Sequence, residues 1–408
     1  MEYNELYDKL KLHFDQCEDK IEIEDLEIVI EKIPFESQSG QFIFSDIQHQ
    51  CDEHQKMFST SETKHVVYGF PSVDIKDADI ENNKKFHYYI LKNKEIEVAS
   101  EALIFFHGLN EKKWDKYLPW AYELAKKTGK AVVLFPIAFH MDRAESIWSD
   151  RREMLEVAKF RKNEYSENTN YSFVNAAISS RLEAHPQRIF WSGLQTYSDC
   201  IQLIDAFRSG SVHSIAPEAK IDLFGYSIGS FFSMILKMAN PKSYFTESKL
   251  FCFCGGMTID RMFPISKYIM DARSAIKMQT IFAELLSSEF VGDDRLAHFQ
   301  DETLHPQESW FKKMLRYNYF QKDREVRIAE LENQIKAYVL EKDEVAPPIE
   351  ALNSFKGGFR NINVDVEIMD YPFEYSHMVP FPLTTKNAKE ITEAFHHFID
   401  SASRFYQK

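Results

Sequence analysis

Ile221-Asp222-Leu223-Phe224-Gly225-Tyr226-Ser227-Ile228-Gly229-Ser230-Phe231-Phe232-Ser233-Met234-Ile235-Leu236 reads as a short apolar strand, a serine between two glycines, and an apolar helix. A serine held on so sharp a strand-to-helix turn sits in a strained backbone conformation, and the turn closes only if the residues two positions to either side are small. Gly225 and Gly229 meet that need in a chain with only 13 glycines, which makes the pattern informative. The arrangement is that of a nucleophile elbow, with Ser227 presented at the strand's carboxyl end.

Working outward, the elbow's strand is one of several short, nearly continuous apolar runs: Ala102 to Phe106, Ala131 to Phe135, Ile221 to Phe224, Leu250 to Cys254, Ile335 to Leu340 and Val364 to Met369. Such runs, separated by helical segments, are the signature of a parallel sheet buried on both faces. Leu118 to Lys127 has helical periodicity and stops at Gly129, where a glycine is expected just past a helix end. Before these, Val66-Val67-Tyr68-Gly69-Phe70 and Phe86 to Leu91 read as antiparallel strands opening the sheet. Two intervals, about 139–188 and 257–333, are too long for simple crossovers and are expected to be helical insertions at the active-site end. Trp310, Phe311, Tyr317, Tyr319 and Phe320 in the second are candidates for pocket lining, although lid-to-core packing is the favoured reading.

Residues 1–64 are expected to form an amino-terminal extension with two helical pieces, Tyr3 to Phe14 and Ile23 to Ile33, leaving 65–408 as the main domain. A further helix is expected over Asn387 to Phe405; His396 and His397 within it have surface or packing roles. The formal charge of -14 argues against nucleic acid or an anionic membrane as partner. No apolar run of membrane-spanning length occurs, and the start Met1-Glu2-Tyr3-Asn4-Glu5 lacks the basic and apolar regions of a secretory signal, so a cytoplasmic location is expected. Cys17, Cys51, Cys200, Cys252 and Cys254 form neither an even set nor a metal-ligand spacing and are expected to be free thiols. No metal-ligand cluster, phosphate loop or dinucleotide fingerprint is found, so neither a metal nor a cofactor is expected.

A serine hydroxyl needs a neutral imidazole to take its proton and an acid to fix that imidazole's tautomer. Both follow Ser227 in the chain. The run ending at Leu340 leads into Glu341-Lys342-Asp343-Glu344-Val345-Ala346-Pro347-Pro348, and the last strand leads into Tyr371-Pro372-Phe373-Glu374-Tyr375-Ser376-His377-Met378. From about residue 65 to the carboxyl terminus the chain resembles the α/β-hydrolases, and uncharacterised bacterial members in particular. The resemblance implies a mostly parallel central sheet flanked by helices, with helical lid insertions, and the order Ser227, Asp343, His377 for nucleophile, acid and base. Glu344 is a neighbouring acid, and Asp260 matches the superfamily's less common acid position. The oxyanion donors implied are the backbone N–H groups of Ile228 and of Leu109 in Phe106-His107-Gly108-Leu109-Asn110. Candidate substrate contacts are His140, in the loop after Phe135, and Tyr226 beside the serine.

The expected activity is that of a serine hydrolase acting on a carboxylic ester or related small acyl compound. A thioesterase or an amidase or peptidase with the same triad, or a hydrolase-like binding protein without activity, are the alternatives. Oligomeric state is not readable from the sequence.

Overall fold

The computed structural model describes residues 1–44, 49–58, 69–287 and 293–408, the side chains of 284–287 excepted. In chain order its strands are β1 (Lys20–Ile23), β2 (Ile28–Glu36), β3 (His49–Gln50), β4 (Met57–Phe58), β5 (Lys85–Asn93) and β6 (Ala99–Phe106). They continue as β7 (Ala131–Leu134), β8 (Ile215–Tyr226), β9 (Leu250–Phe253), β10 (Ile335–Leu340) and β11 (Asp365–Met369). Nine of them form one sheet in the order β1-β2-β5-β7-β6-β8-β9-β10-β11, and β3 and β4 pair as a separate short ribbon. From β7 to β11 every neighbouring pair is parallel, whereas β1, β2 and β5 run antiparallel to their neighbours.

The six apolar runs of the sequence are the six parallel strands; those in β6 to β10 are buried on both faces, whereas β11, at the sheet's edge, leaves Asp365 and Ile368 exposed. Leu103 and Phe105 enter one core together with Phe224, Phe251 and Phe253, while Ile104 and Phe106 enter the other. Phe105 stacks on Phe224 at 4.3 Å and Phe224 faces Phe251 at 5.7 Å, so one aromatic row crosses three strands. Full burial of each such side chain contributes about 1.5–3 kcal/mol. The helices Tyr3–Phe14, Leu118–Thr128 and Ala388–Gln407 cover that face; Arg188–Arg208 and Ile228–Ala239 cover the opposite one. Gly129 ends its helix at φ +73°, as the sequence requires.

One expectation for the amino-terminal segment fails. Ile23 to Ile33 is not a helix: after a single 3-10 turn at Glu24–Leu26 the chain extends as β2, paired residue for residue with β5 from Ile28↔Asn93 to Glu36↔Lys85. Its β-branched residues are better served by that register, which buries Ile28, Val29 and Ile30. Residues 20–36 thus enter the sheet itself. The strand expected at Val66 to Tyr68 and the boundary at 64/65 lie outside the described residues.

The described parts of 139–188 and 257–333 are largely helical, and Ile259, Met262, Met270 and Met278 of the second reach the sheet's carboxyl end beside Ser227. A buried ionic network joins them: Arg161 reaches Asp271 at 2.7 Å and Glu183 at 2.8 Å, and Asn168 also donates to Asp271. Asn110, in the loop after β6, donates to the carbonyls of Val174 and Tyr268, fastening both insertions to the sheet's end. Among the described residues no helix is long and apolar enough to cross a membrane.

Candidate active site

The elbow forms as its sequence demands. Ser227 has φ +58° and ψ -120°, a conformation L-residues rarely adopt, which costs about 1–3 kcal/mol. Its N–H donates to the Phe253 carbonyl of the neighbouring strand at 3.0 Å, and its carbonyl accepts from Ser230 and Phe231 in the helix that follows. A Cβ at Gly225 would lie 2.5 Å from the Gly229 carbonyl oxygen, and one at Gly229 would lie 2.4 Å from that of Phe106. Both positions therefore need glycine for space. Gly255 is equally constrained, since its Cβ would meet the Ser227 carbonyl oxygen at 2.3 Å.

Strand register brings five loops together around this serine. Phe106, Gly225 and Cys252 sit side by side, so the loops after β6, β8 and β9 leave the sheet at one level. Those after β10 and β11 join them. His377 Nε2 lies 2.8 Å from Ser227 Oγ, and His377 Nδ1 lies 2.7 Å from Asp343 Oδ2. All three residues are buried. Asp343 Oδ1 accepts the N–H groups of Val345 at 2.9 Å and Ala346 at 2.8 Å, which fixes the carboxylate with its other oxygen towards the imidazole. With Nδ1 donating to Asp343, Nε2 of the neutral ring is left to accept the serine proton.

The loop carrying His377 is held from below. The Tyr226 hydroxyl donates to the His377 carbonyl, and the two rings stack at 5.5 Å and 19°. Tyr226 is enclosed by Tyr117, Trp120 and Phe253, and burial pushes its hydroxyl pKa well above the ordinary value. It lines neither of the two cavities beside the serine; its hydroxyl and ring hold the loop that carries the imidazole. Cys254 is buried next to Asp343, and burial followed by that charge holds its thiol well above the usual range. It is a protonated packing group.

Asp260 and Glu344, the other acids considered, point elsewhere. Asp260 accepts from Thr258 and from the Tyr317 N–H, while Glu344 is exposed.

In the loop after β6, His107 Nε2 accepts the Ile137 N–H at 2.9 Å, so Nδ1 carries the proton and donates to the Gly108 carbonyl at 2.8 Å. Burial, reinforced by neighbouring His140, keeps this imidazole neutral. The Gly108 N–H is spent on the Tyr117 hydroxyl at 2.9 Å, which leaves the next residue, Leu109, to face the cleft. Ile228 opens its helix, where N–H groups of the first turn have no carbonyl partner within the helix.

Two cavities meet at Leu109 and Ile189. The first contains Ser227 and Ile228; its walls are apolar, including Ile259, Met262, Met270 and Met278. These residues come from the start of the second insertion. The aromatic set expected as an alternative lining packs elsewhere, with Phe311 against Tyr197 and Phe232 and with Tyr317 beside Arg261. The second cavity has mostly apolar walls, with Lys112 and His140 among the residues that line it. His140 donates from Nδ1 to the Ala138 carbonyl at 2.9 Å and leaves Nε2 buried without a hydrogen-bond partner. Burial lowers its pKa to about 4. Lys112 makes no hydrogen bond or ion pair among the described residues, and burial lowers its ammonium to about 8. The sequence held no signal for Lys112 or the methionines: a lysine near a surface turn and methionines in a helical insertion are ordinary until the fold aims them.

A second group, which the sequence pattern did not bring together, lies elsewhere. Cys51, His54, His298 and His305 bring one donor atom each to within 4.8 Å of one another. The missed signal was Cys51-Asp52-Glu53-His54, a two-residue spacing between potential ligands. Its completion more than 240 residues later was invisible without the fold.

A mostly parallel sheet, a serine elbow at its carboxyl end, and an acid and a histidine following in that chain order define an α/β-hydrolase fold. Within that class the chain belongs to DUF6051, a family of unknown function whose model matches residues 1–407. No curated protein matches the chain. Among solved structures it is similar to an esterase from Pyrobaculum calidifontis, at 10% identity over 98% of this chain and 92% of that one, with a TM-score of 0.42. It is also similar to carboxyl esterase 2 from the fungus Tuber melanosporum, at 10% identity over 79% of this chain and 81% of that one, with a TM-score of 0.41. A Bacteroides ovatus protein proposed to be a dipeptidyl aminopeptidase IV gives 13% identity, 79% and 33% coverage and a TM-score of 0.40. Likenesses at this level carry no argument; strand order and elbow define the fold by themselves.

Proposed function

We propose that this protein is a serine hydrolase that cleaves a carboxylic ester or a related acyl compound through an acyl-enzyme. The observation that carries the reading is the hydrogen-bonded row Asp343, His377, Ser227 at a strained elbow beside an apolar cavity. His377 Nε2 removes the proton as Ser227 Oγ attacks the carbonyl carbon, and Asp343 stabilises the imidazolium that results. The N–H groups of Ile228 and Leu109 receive the developing oxyanion, each worth about 3 kcal/mol in the transition state. The imidazolium then protonates the leaving group, and a water activated by the same ring releases the acid.

The two cavities divide the substrate. The slot above Ser227 accepts an apolar acyl chain, and the neighbouring cavity accepts the leaving group. There Lys112 supplies a donor and the free Nε2 of His140 an acceptor, so a leaving group bearing a hydroxyl or amide fits.

Matched oxygen ester, thioester and anilide substrates, assayed with wild type and Ser227→Ala, test the reading. Ester hydrolysis that falls by several orders of magnitude in the variant is expected. Turnover retained by Ser227→Ala refutes it, and a wild type that prefers the thioester or anilide changes the substrate class but not the mechanism.

A further inference from the structure

We propose that Cys51, His54, His298 and His305 form a structural zinc site that clamps the β3–β4 ribbon to the second insertion. Cys51 Sγ lies 3.6 Å from His54 Nδ1 and 3.6 Å from His305 Nε2, and the Nε2 atoms of His305 and His298 are 3.2 Å apart. Zinc bonds of about 2.0–2.1 Å to nitrogen and about 2.3 Å to sulfur, placed on a tetrahedron, require edges of about 3.3–3.4 Å between nitrogens and about 3.5–3.6 Å between sulfur and nitrogen. The three measured edges agree with these to about 0.2 Å. The remaining separations are at most 4.8 Å, within reach of a small rotation of the exposed His54 ring.

Hydrogen bonding alone accounts poorly for this grouping. Cys51, His298 and His305 are buried, and neither His298 Nδ1 nor His305 Nδ1 has a hydrogen-bond partner. Two Nε2 atoms facing each other can share only one proton, and one thiol can donate to only one of the two imidazoles it touches. A cation satisfies all four lone pairs at once. The surroundings match a metal site as well. The His54 N–H donates to Cys51 Sγ at 3.5 Å, which favours a thiolate, and Glu53 and Glu308 place carboxylate oxygens 3.7 and 3.6 Å from His305 Nδ1. On binding, the thiol proton leaves to solvent as the zinc–sulfur bond forms, and the two carboxylates offset the charge that remains.

One thiolate with three imidazoles suits zinc over hard cations such as magnesium or calcium, and four protein ligands leave no open position for chemistry. The clamp is therefore structural. It joins a ribbon near the amino terminus to the helix Asp294–Phe299, whose Phe299 packs on Phe42 and on Trp191 of the helix that also carries Ile189 of the cleft.

The test is metal content of the full-length protein by mass spectrometry after equilibration with zinc and desalting. One zinc per chain is expected in wild type and in His213→Ala, an exposed control, with loss in Cys51→Ser and in His305→Ala. Cobalt in place of zinc should give tetrahedral visible bands and a thiolate charge-transfer band that Cys51→Ser abolishes. If a variant fails to fold, chelation of wild type replaces it: zinc removal should lower Tm and zinc return restore it. Wild type that retains no zinc, variants that keep the full complement, or an octahedral cobalt spectrum would overturn the proposal.

Discussion

Replacing Asp343 with asparagine changes almost no volume, yet it should disable the proposed base. The amide must choose which end faces the Val345 and Ala346 N–H groups, which approach Asp343 Oδ1 at 2.9 and 2.8 Å. Its NH2 placed there would set donors against donors and strand two buried N–H groups, at about 1–3 kcal/mol each. The amide oxygen therefore takes that side, and the NH2 faces His377 Nδ1 across the 2.7 Å contact now made by the carboxylate. Nδ1 must then accept, the ring proton moves to Nε2, and Ser227 Oγ meets an N–H where it needs a lone pair. Restoring the working tautomer costs about 2–6 kcal/mol, a factor of about 30 to 10⁴, before the lost carboxylate charge is counted. A wrong tautomer of this kind lowers kcat about 10⁴-fold in a serine protease, so a fall of 10³ to 10⁴ is expected here. The assay is steady-state hydrolysis of a p-nitrophenyl ester, with Tm measured alongside and expected to stay nearly unchanged because both N–H contacts survive. A loss below tenfold in a folded variant would refute the tautomer argument.

Other perturbations test the rest of the account. Gly229→Ala drives a methyl group into the Phe106 carbonyl at 2.4 Å and should cost about 3 kcal/mol or more, read by denaturant unfolding, whereas an unchanged midpoint would contradict the elbow's packing. Lys112→Met should weaken binding of substrates with polar leaving groups, raising KM with kcat little changed. In wild type the same KM should rise with pH through about 8, where Lys112 loses its charge. Since burial depresses this ammonium from 10.5 to about 8, its charge destabilises the fold below about pH 8, and that penalty fades as pH rises to 10.5. Lys112→Met should accordingly raise Tm most at neutral pH and progressively less towards pH 10.5. Asp271→Ala takes one carboxylate away from buried Arg161 and should cost about 3 kcal/mol, with acyl-length selectivity broadened because neighbouring Met270 forms part of the slot.

The sequence was informative where local chemistry and fold coincide. Gly225-Tyr226-Ser227-Ile228-Gly229 permits one turn, and five of the six apolar runs are buried on both faces, so elbow and parallel sheet could be read directly. The helix Tyr3–Phe14 was equally plain from its periodicity. Ile23 to Ile33 misled because its apolar spacing suits a helix until β5 offers an edge to pair with, a long-range fact outside local pattern. Tyr226 was placed beside the serine correctly, but the direction of its hydroxyl depends on a loop 151 residues away. The slot's methionines and the Cys51 cluster were hidden for the same reason: each is assembled from segments that meet only in the folded chain.

The central claim is that Ser227 is an activated nucleophile. Reaction of the purified protein with a fluorophosphonate at neutral pH, followed by mass spectrometry of its peptides, tests it without knowledge of the substrate. The account predicts one covalent adduct, on Ser227, absent from Ser227→Ala and strongly slowed in Asp343→Asn. A folded wild type that stays unlabelled, or an adduct that persists in Ser227→Ala, would contradict it.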